Sequence, residues 1–259
     1  MNFGRLNFAV AALLSCAIAS AGPVTHVLDT TSYNFQLDGG GGGAKAVLDK
    51  TTTIEIFCVD YANDITVPHS NYSADISTIG SGADLSATRF GAVTSWTTLS
   101  NQGSFVDAST INALTGAGSA LGRYEMAAYL VSTYNLKSNP TNSPSNDGIQ
   151  QAIWDILDPK GEVFGNIAPA SNTDNALEAA AKWYSTTSAS ARDSFLSNYR
   201  IISDASLLTS CKGQLVNCGF QEQITVVPEP RYLALMLIGL LAAGSAAFRK
   251  LRTAQSVKA

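Results

Sequence analysis

Histidine is scarce in this chain, which has 259 residues and only two histidines, His26 and His69. Imidazole is the side chain most often used as a general base and as a metal ligand. A secreted cysteine hydrolase would therefore have to pair Cys58 with one of these two histidines. Both lie in sequence surroundings typical of surface side chains. We therefore rank a cysteine hydrolase low. We expect a protein that is not an enzyme and that needs no metal or other cofactor.

Basic residues are scarce between the two terminal segments. Six of the sixteen Lys and Arg residues lie in those segments, whereas all twenty Asp and Glu residues lie between Asp29 and Glu229. The central part therefore has ten basic and twenty acidic residues, a net charge of −10. Such a surface lacks the positive footprint that nucleic acid or anionic lipid requires. We expect neither as a partner of the central part.

Long apolar runs occur only near the two ends of the chain. At the first end, Arg5 precedes an apolar run over 8–18, and Ala19 and Ala21 form an A-x-A arrangement. These features predict a secretory signal peptide over residues 1–21, removed by signal peptidase. Two alternatives remain open: a lipoprotein site at Cys16, and an uncleaved anchor, for which the run is shorter than the roughly 20 residues that span a bilayer.

The second apolar run, over 232–248, follows a proline-rich motif and precedes a basic cluster. It is just long enough for a transmembrane helix, and its basic end favours the cytoplasmic side. This three-part pattern resembles the PEP-CTERM sorting signal of Gram-negative bacteria, and the resemblance implies processing by the membrane protease exosortase. The sorting motif would be Val227, Pro228, Glu229 and Pro230, and the basic tail Arg249, Lys250 and Arg252. The alternative is a permanent single-span anchor.

These signals predict an exported protein at the cell surface or outside the cell, held transiently in the inner membrane by its C-terminal helix. Its parts would be the signal peptide, a body over 22–220, a linker over 221–230 and a sorting segment over 231–259. Within the body, alternating apolar residues predict strands, and apolar residues at helical spacing predict helices. The strands fall at 24–37, 44–50, 51–61 and 221–227, and the helices at 123–134, from Asn146 or Asp147 to 157, at 173–184 and at 189–199.

This order of elements favours an α+β fold, with a β-sheet or sandwich and an inserted or adjacent helical part. Residues 62–120 are rich in Ser, Thr, Gly and Asn and receive no firm prediction. No internal repeat is evident. Roughly 210 residues remain after both ends are removed, enough for one large domain or two small ones.

The cysteines give a more specific indication. The exported chain would keep three, Cys58, Cys211 and Cys218. Cys211 and Cys218 bracket a short loop, which favours a local disulfide between them. Cys58 is then the odd cysteine in an oxidising compartment, where a thiol has to be buried or put to chemical use.

Two short motifs suggest such a use. The stretch FCVD over 57–60 and the stretch IQQAIW over 149–154 resemble the paired signature of bacterial surface thioester domains, often written TQxA. The resemblance implies that Cys58 is the sulfur donor and Gln150 the acyl donor of an internal thioester. The supporting residues would be Phe57, Ala152, Ile153 and Trp154. Ile149 departs from the strict pattern, because many members have Thr there.

The chemistry of a thioester explains these residue types. A soft nucleophile must be held next to a carboxamide, so that proximity compensates for a poor leaving group. Apolar neighbours would then protect the bond from water. An amine, typically a lysine on a partner surface, could open it and leave a permanent amide. The predicted function is therefore adhesion or covalent attachment, with a non-covalent structural component of an extracellular matrix or biofilm as the alternative.

Two weaker patterns remain. Cys218-Gly219-Phe220-Gln221 resembles the contiguous thioester motif of complement-like proteins, although this chain is far shorter than those proteins. The pairs Asp60 with Asp64 and Asp155 with Asp158 could contribute to a calcium site, but they lack EF-hand spacing. We therefore expect these carboxylates to be solvated.

Overall fold

The structure is a computed structural model that describes residues 26–37, 41–61, 63, 65, 67–68, 70–93, 119–136, 144–157, 170–208 and 218–227. Several predicted features lie outside these residues: the signal peptide, His69, Asp64, Asp158, Cys211, most of the sorting motif and the whole segment 231–259. They remain predictions.

Six strands and four α-helices make up the described part of the chain. The strands are β1 (His26–Gln36), β2 (Gly42–Leu48), β3 (Thr52–Cys58), β4 (Asn71–Thr78), β5 (Tyr199–Asp204) and β6 (Gln223–Val226). The helices are α1 (Ala120–Ser132), α2 (Pro144–Leu157), α3 (Ala170–Thr186) and α4 (Ala189–Leu196), and a 3-10 turn spans Ala205–Leu208. All four helices thus lie between β4 and β5 in the chain.

The strands close into an antiparallel barrel in the order β1-β2-β3-β6-β5-β4, with β4 returning to β1. Side chains alternate between the two faces of each strand. One set fills the barrel with small and branched residues, which suits the narrow interior of a six-stranded barrel. This interior core comprises Leu28, Ala44, Ala46, Ile54, Ile56, Val67, Tyr72, Ala74 and Ile202.

The opposite face of β3, β5 and β6 joins the helical core. Phe57, Ile201 and Ile224 alternate with the interior residues and belong to the same buried cluster as apolar side chains of α1, α2 and α3. The helices therefore cover one wall of the barrel, and the C-terminal end of β3 lies where the barrel meets α2. This arrangement positions Cys58, the last residue of β3.

The predicted fold class, an α+β sheet or sandwich with a helical part, is wrong, because the six strands form a closed barrel. Two of its strands were not recognised. β4 lies in the polar segment that received no prediction, and β5 begins at Tyr199, where the fourth helix was extended too far. β1 is long and has two register irregularities, at Thr30/Ser32 and Tyr33/Phe35. Such irregularities bend a strand, which helps it pair with both β2 and β4.

Three further findings refine the predicted boundaries. Helix α2 begins at Pro144, so neither Asn146 nor Asp147 is its N-cap; instead, Asn146 Oδ1 accepts from the Asn135 backbone N–H at 2.9 Å. β6 falls within the strand predicted over 221–227, in the segment also assigned to the linker, and the barrel therefore continues through Val226. The predicted transmembrane helix lies outside the described residues, and none of the helices described has the length and apolar character to cross a membrane.

Candidate functional site

The fold brings Gln150 and Cys58 together, although 92 positions separate them in the sequence. Gln150 lies in the second turn of α2 and points toward the end of β3. Its side-chain Nε2 donates to the backbone carbonyl of Cys58 at 3.0 Å. Gln150 is fully buried and Cys58 is 4% exposed. The carboxamide and the cysteine therefore share one site that is shielded from solvent.

The oxygen of the Gln150 carboxamide accepts two hydrogen bonds. The Gly42 backbone N–H donates at 2.9 Å, and the Tyr134 hydroxyl donates at 2.8 Å. Two donors on one carbonyl oxygen resemble an oxyanion hole, since they would stabilise negative charge on that oxygen if a nucleophile added to the carbon. The arrangement therefore polarises the carboxamide and holds it in a single orientation.

Tyr134 keeps its proton in this position. Burial raises the pKa of its hydroxyl well above the ordinary value, and the nearby Cys58 and Asp147 raise it further. Its ring stacks on Phe57, with the centroids 5.6 Å apart and the planes 14° from parallel. Tyr134 is thus a fixed hydrogen-bond donor, and the predicted support residue Phe57 acts on the site through Tyr134.

The sulfur of Cys58 lies between a donor and an acceptor. The indole Nε1 of Trp154 donates to Sγ at 3.4 Å, and Sγ in turn lies 3.6 Å from the backbone carbonyl of Asp60. A hydrogen bond from Trp154 stabilises charge that develops on sulfur. Tyr61 packs edge-on against the same indole at 4.8 Å. Trp154 therefore both contacts the sulfur and closes the site from water.

The other two predicted support residues do not line the site. Ala152 and Ile153 are fully buried in the core between the helices and the barrel. They anchor α2 in this core, and the position of α2 determines the position of Gln150. The neighbouring glutamine, Gln151, bonds Asp155 within the helix at 2.9 Å, so the two glutamines differ in role.

Gly41 permits the close packing of the two halves of the site. A Cβ placed there would lie 2.5 Å from Gln150 Cγ and 2.7 Å from the Trp154 ring. Real Cβ atoms do not approach other atoms so closely, so any side chain would push Gln150 or Trp154 away. The glycine run over 39–43 was a sequence signal for this approach, although its role was not recognised.

Gly41→Ala is therefore expected to cost about 1–3 kcal/mol of stability through overpacking. It should also reduce any reaction of Gln150 by about 10²-fold, because a displacement near 1 Å has that effect on positioned groups. Urea unfolding and intact-mass analysis measure the two effects. Gly82→Ala is the matched control, since Gly82 has φ +78° but nothing within 4 Å of the added Cβ. The control should lose stability alone; an equal loss of reaction there would contradict this account.

Behind the site lies a buried cluster of charged residues. Arg89 Nε is 2.6 Å from Asp60 Oδ2, and the guanidinium also donates to two backbone carbonyls, those of Cys218 at 3.0 Å and Phe220 at 2.9 Å. Glu222 accepts from the Arg89 backbone N–H at 2.7 Å and from the hydroxyls of Tyr124 and Ser203.

Burial dominates the protonation of this cluster. It raises the pKa of Asp60 to about 7, against the opposing influence of Arg89 and Asn63, and it also raises the pKa of fully buried Glu222. The cluster fixes Asp60, whose carbonyl faces the sulfur of Cys58. It was not predicted, because its members are scattered along the chain.

The alternative sites find little support. His26 Nδ1 lies 2.7 Å from Asp49 Oδ2, at the start of β1. Cys218 is disulfide-bonded, so the Cys218-to-Gln221 motif does not offer a thiol. Asp60 is bound to Arg89. Within the described ranges, no three His, Cys, Asp or Glu residues are grouped to hold a metal ion.

Comparison with known proteins found no family model, no curated protein and no solved structure that matches this chain.

Proposed function

We propose that Cys58 and Gln150 form an internal thioester, by which the exported body attaches covalently to amine-bearing surfaces. The observation that carries the proposal is the Gln150 carboxamide, buried against Cys58 with two donors on its oxygen. A buried glutamine needs hydrogen bonds to offset the cost of burial. Here those bonds also aim two donors at the oxygen on which negative charge would develop in an acyl transfer.

These contacts support the following route to the bond. The Cys58 sulfur adds to Gln150 Cδ, while Gly42 N–H and Tyr134 hydroxyl stabilise the oxygen. The thiol proton moves to the amide nitrogen, the C–N bond breaks and ammonia leaves. The products are a thioester and one molecule of ammonia. Because the Gln150 amide is held against the backbone of Cys58, the step would gain from proximity.

An amine consumes the thioester in a single attack. The nitrogen forms an amide with the Gln150 acyl carbon, the C–S bond breaks, and Cys58 is released as a thiol. Since the thioester is not regenerated, the protein acts once and is not an enzyme. A lysine on a protein partner is the expected nucleophile.

The export part of the proposal rests on the two terminal motifs and on Cys218. Disulfides persist mainly in oxidising compartments outside the cytoplasm, and Cys218 is disulfide-bonded. We infer that signal peptidase and exosortase process the chain, and that the body acts at the cell surface or in the extracellular medium.

Intact-mass analysis of the purified body tests the thioester. The wild type should be lighter than its sequence by one ammonia, and methylamine should add one equivalent at Gln150. The variants Cys58→Ala and Gln150→Ala should have their full sequence mass and should not react. A wild type at full mass, inert to methylamine, would instead leave a non-covalent structural protein with a buried cysteine.

A further inference from the structure

A small cavity lies directly beside Cys58. It holds about 30 Å³, and its lining includes Gly41, Gly42, Gly43, Cys58, Gln221 and Gln223. Space of this size accommodates about two water molecules. The cavity reaches Cys58 on one side and, on the other, the glycines that contact Gln150. It therefore adjoins Cys58 directly, and it is separated from Gln150 only by Gly41 and Gly42.

Gln223 brings a polar group into this cavity. It is the partner of Cys58 in the pairing of β6 with β3, and directly opposed residues place their side chains on the same face. Its side chain is 1% exposed. Nε2 donates to Gln221 Oε1 at 3.0 Å and lies 3.5 Å from the Gln221 carbonyl, which fixes the orientation of the amide.

The oxygen of the Gln223 side chain, unlike its nitrogen, is not held by a hydrogen bond to Gln221. Gln223 Oε1 accepts no hydrogen bond from any residue that the structure describes. The oxygen is not fully buried, so a water or another small molecule in the cavity can reach it. An accessible acceptor beside Cys58 is suited to a ligand that brings its own N–H.

We propose that this cavity is the route by which the nucleophile reaches the thioester, and that Gln223 Oε1 positions a slim, unbranched primary amine for attack. The inference rests on the proposed thioester. One amine N–H donates to Gln223, and the nitrogen lone pair attacks the Gln150 acyl carbon. The C–S bond breaks, its electron pair goes to Cys58 Sγ, and the surplus amine proton moves to that sulfur.

The size of the cavity sets the specificity. A CH₂–NH₂ end fits a space of two waters, whereas a carbon branched next to the nitrogen does not. The protein should thus accept a lysine side chain or methylamine and reject amines such as tert-butylamine.

Rates of amine incorporation test both the role of Gln223 and the entry of the amine through the cavity. Gln223→Met should still form the thioester but react with methylamine about tenfold more slowly, the effect of one lost hydrogen bond. Gln223→Asn, which withdraws the oxygen, should show a similar loss. Thr225→Val is the control, because Thr225 lies on the same face of β6 and bonds Glu55 instead. Unchanged rates in thioester-bearing Gln223 variants would overturn the role of Gln223.

Measurements on the wild type alone test whether the amine reaches the thioester through the cavity. Its preference for methylamine over tert-butylamine should exceed that of a small free thioester by at least about tenfold, the cost of overpacking. An equal preference would overturn the cavity route. A wild type without a thioester would overturn this inference and the proposed function together, whereas a thioester with unselective rates would overturn only this inference.

Discussion

Tyr134→Phe is expected to slow thioester formation by about 10²-fold, the typical cost of removing one oxyanion-hole donor. The hydroxyl donates to Gln150 Oε1 at 2.8 Å, and burial keeps it protonated. Phenylalanine preserves the ring that stacks on Phe57 and removes only this donor. Gly42 N–H would remain as the second donor. The reaction should therefore be slowed and not abolished.

Cell-free synthesis followed by acid quenching and intact-mass analysis measures this rate as the loss of ammonia over time. Tyr72→Phe is a matched control, because Tyr72 is also buried and its hydroxyl has no hydrogen-bond partner among the residues described. That variant should form the bond at the wild-type rate. If Tyr134→Phe also matched the wild type, the Tyr134 hydroxyl would not act as an oxyanion donor.

Arg89→Met is expected to cost about 3–5 kcal/mol in the free energy of unfolding, since it leaves two buried carboxylates without their cation. Arg89 contacts Asp60 at 2.6 Å, and its backbone supports Glu222. The loss should grow with pH. Burial already raises the pKa of Asp60 to about 7 and that of Glu222 above its usual range, and removal of Arg89 raises both further.

The direction of this pH dependence follows from proton linkage. Above the carboxyl pKa of the unfolded chain, near 4, the folded variant binds more protons than the unfolded one, so its stability falls as pH rises toward and through the folded pKa. Urea unfolding at about pH 5 and about pH 8 measures the difference. Arg200→Met is the control, because Arg200 donates to the carbonyls of Ser197 and Tyr199. A pH-independent loss in Arg89→Met would contradict the account of the cluster.

The sequence indicated the proximity of Cys58 and Gln150 better than it indicated the fold around them. Cys58 and Gln150 were identified from two local motifs, and the structure places them in contact. The helix carrying Gln150 was visible because its apolar residues follow the helical period. Its start was misplaced, since Asn146 resembles an N-cap but instead binds Asn135 across a loop.

The closed barrel could not be predicted from the periodicity of apolar residues. β4 is polar on its outer face, and β5 directly follows a helix, so neither shows an isolated alternating run. Closure also depends on pairing between strands far apart in the chain, as when Ile202 opposes Gln223. Local periodicity contains no information on such pairing.

The groups that complete the site were missed for a related reason. Tyr134 and Gly42 belong to different elements, and their shared target, Gln150 Oε1, exists only after folding. The same is true of Arg89 and Glu222, which are 133 positions apart. Considered one at a time in the sequence, such residues have no feature that indicates a role in the site. Their role is visible only once the fold brings them together.

Peptide mapping of the untreated wild-type body under mildly acidic conditions tests the central claim most directly. We predict one cross-linked species that joins the peptide containing Cys58 to the peptide containing Gln150, lighter than their sum by one ammonia. Recovery of both peptides as separate linear species, one with an intact thiol and the other with an intact carboxamide, would contradict it.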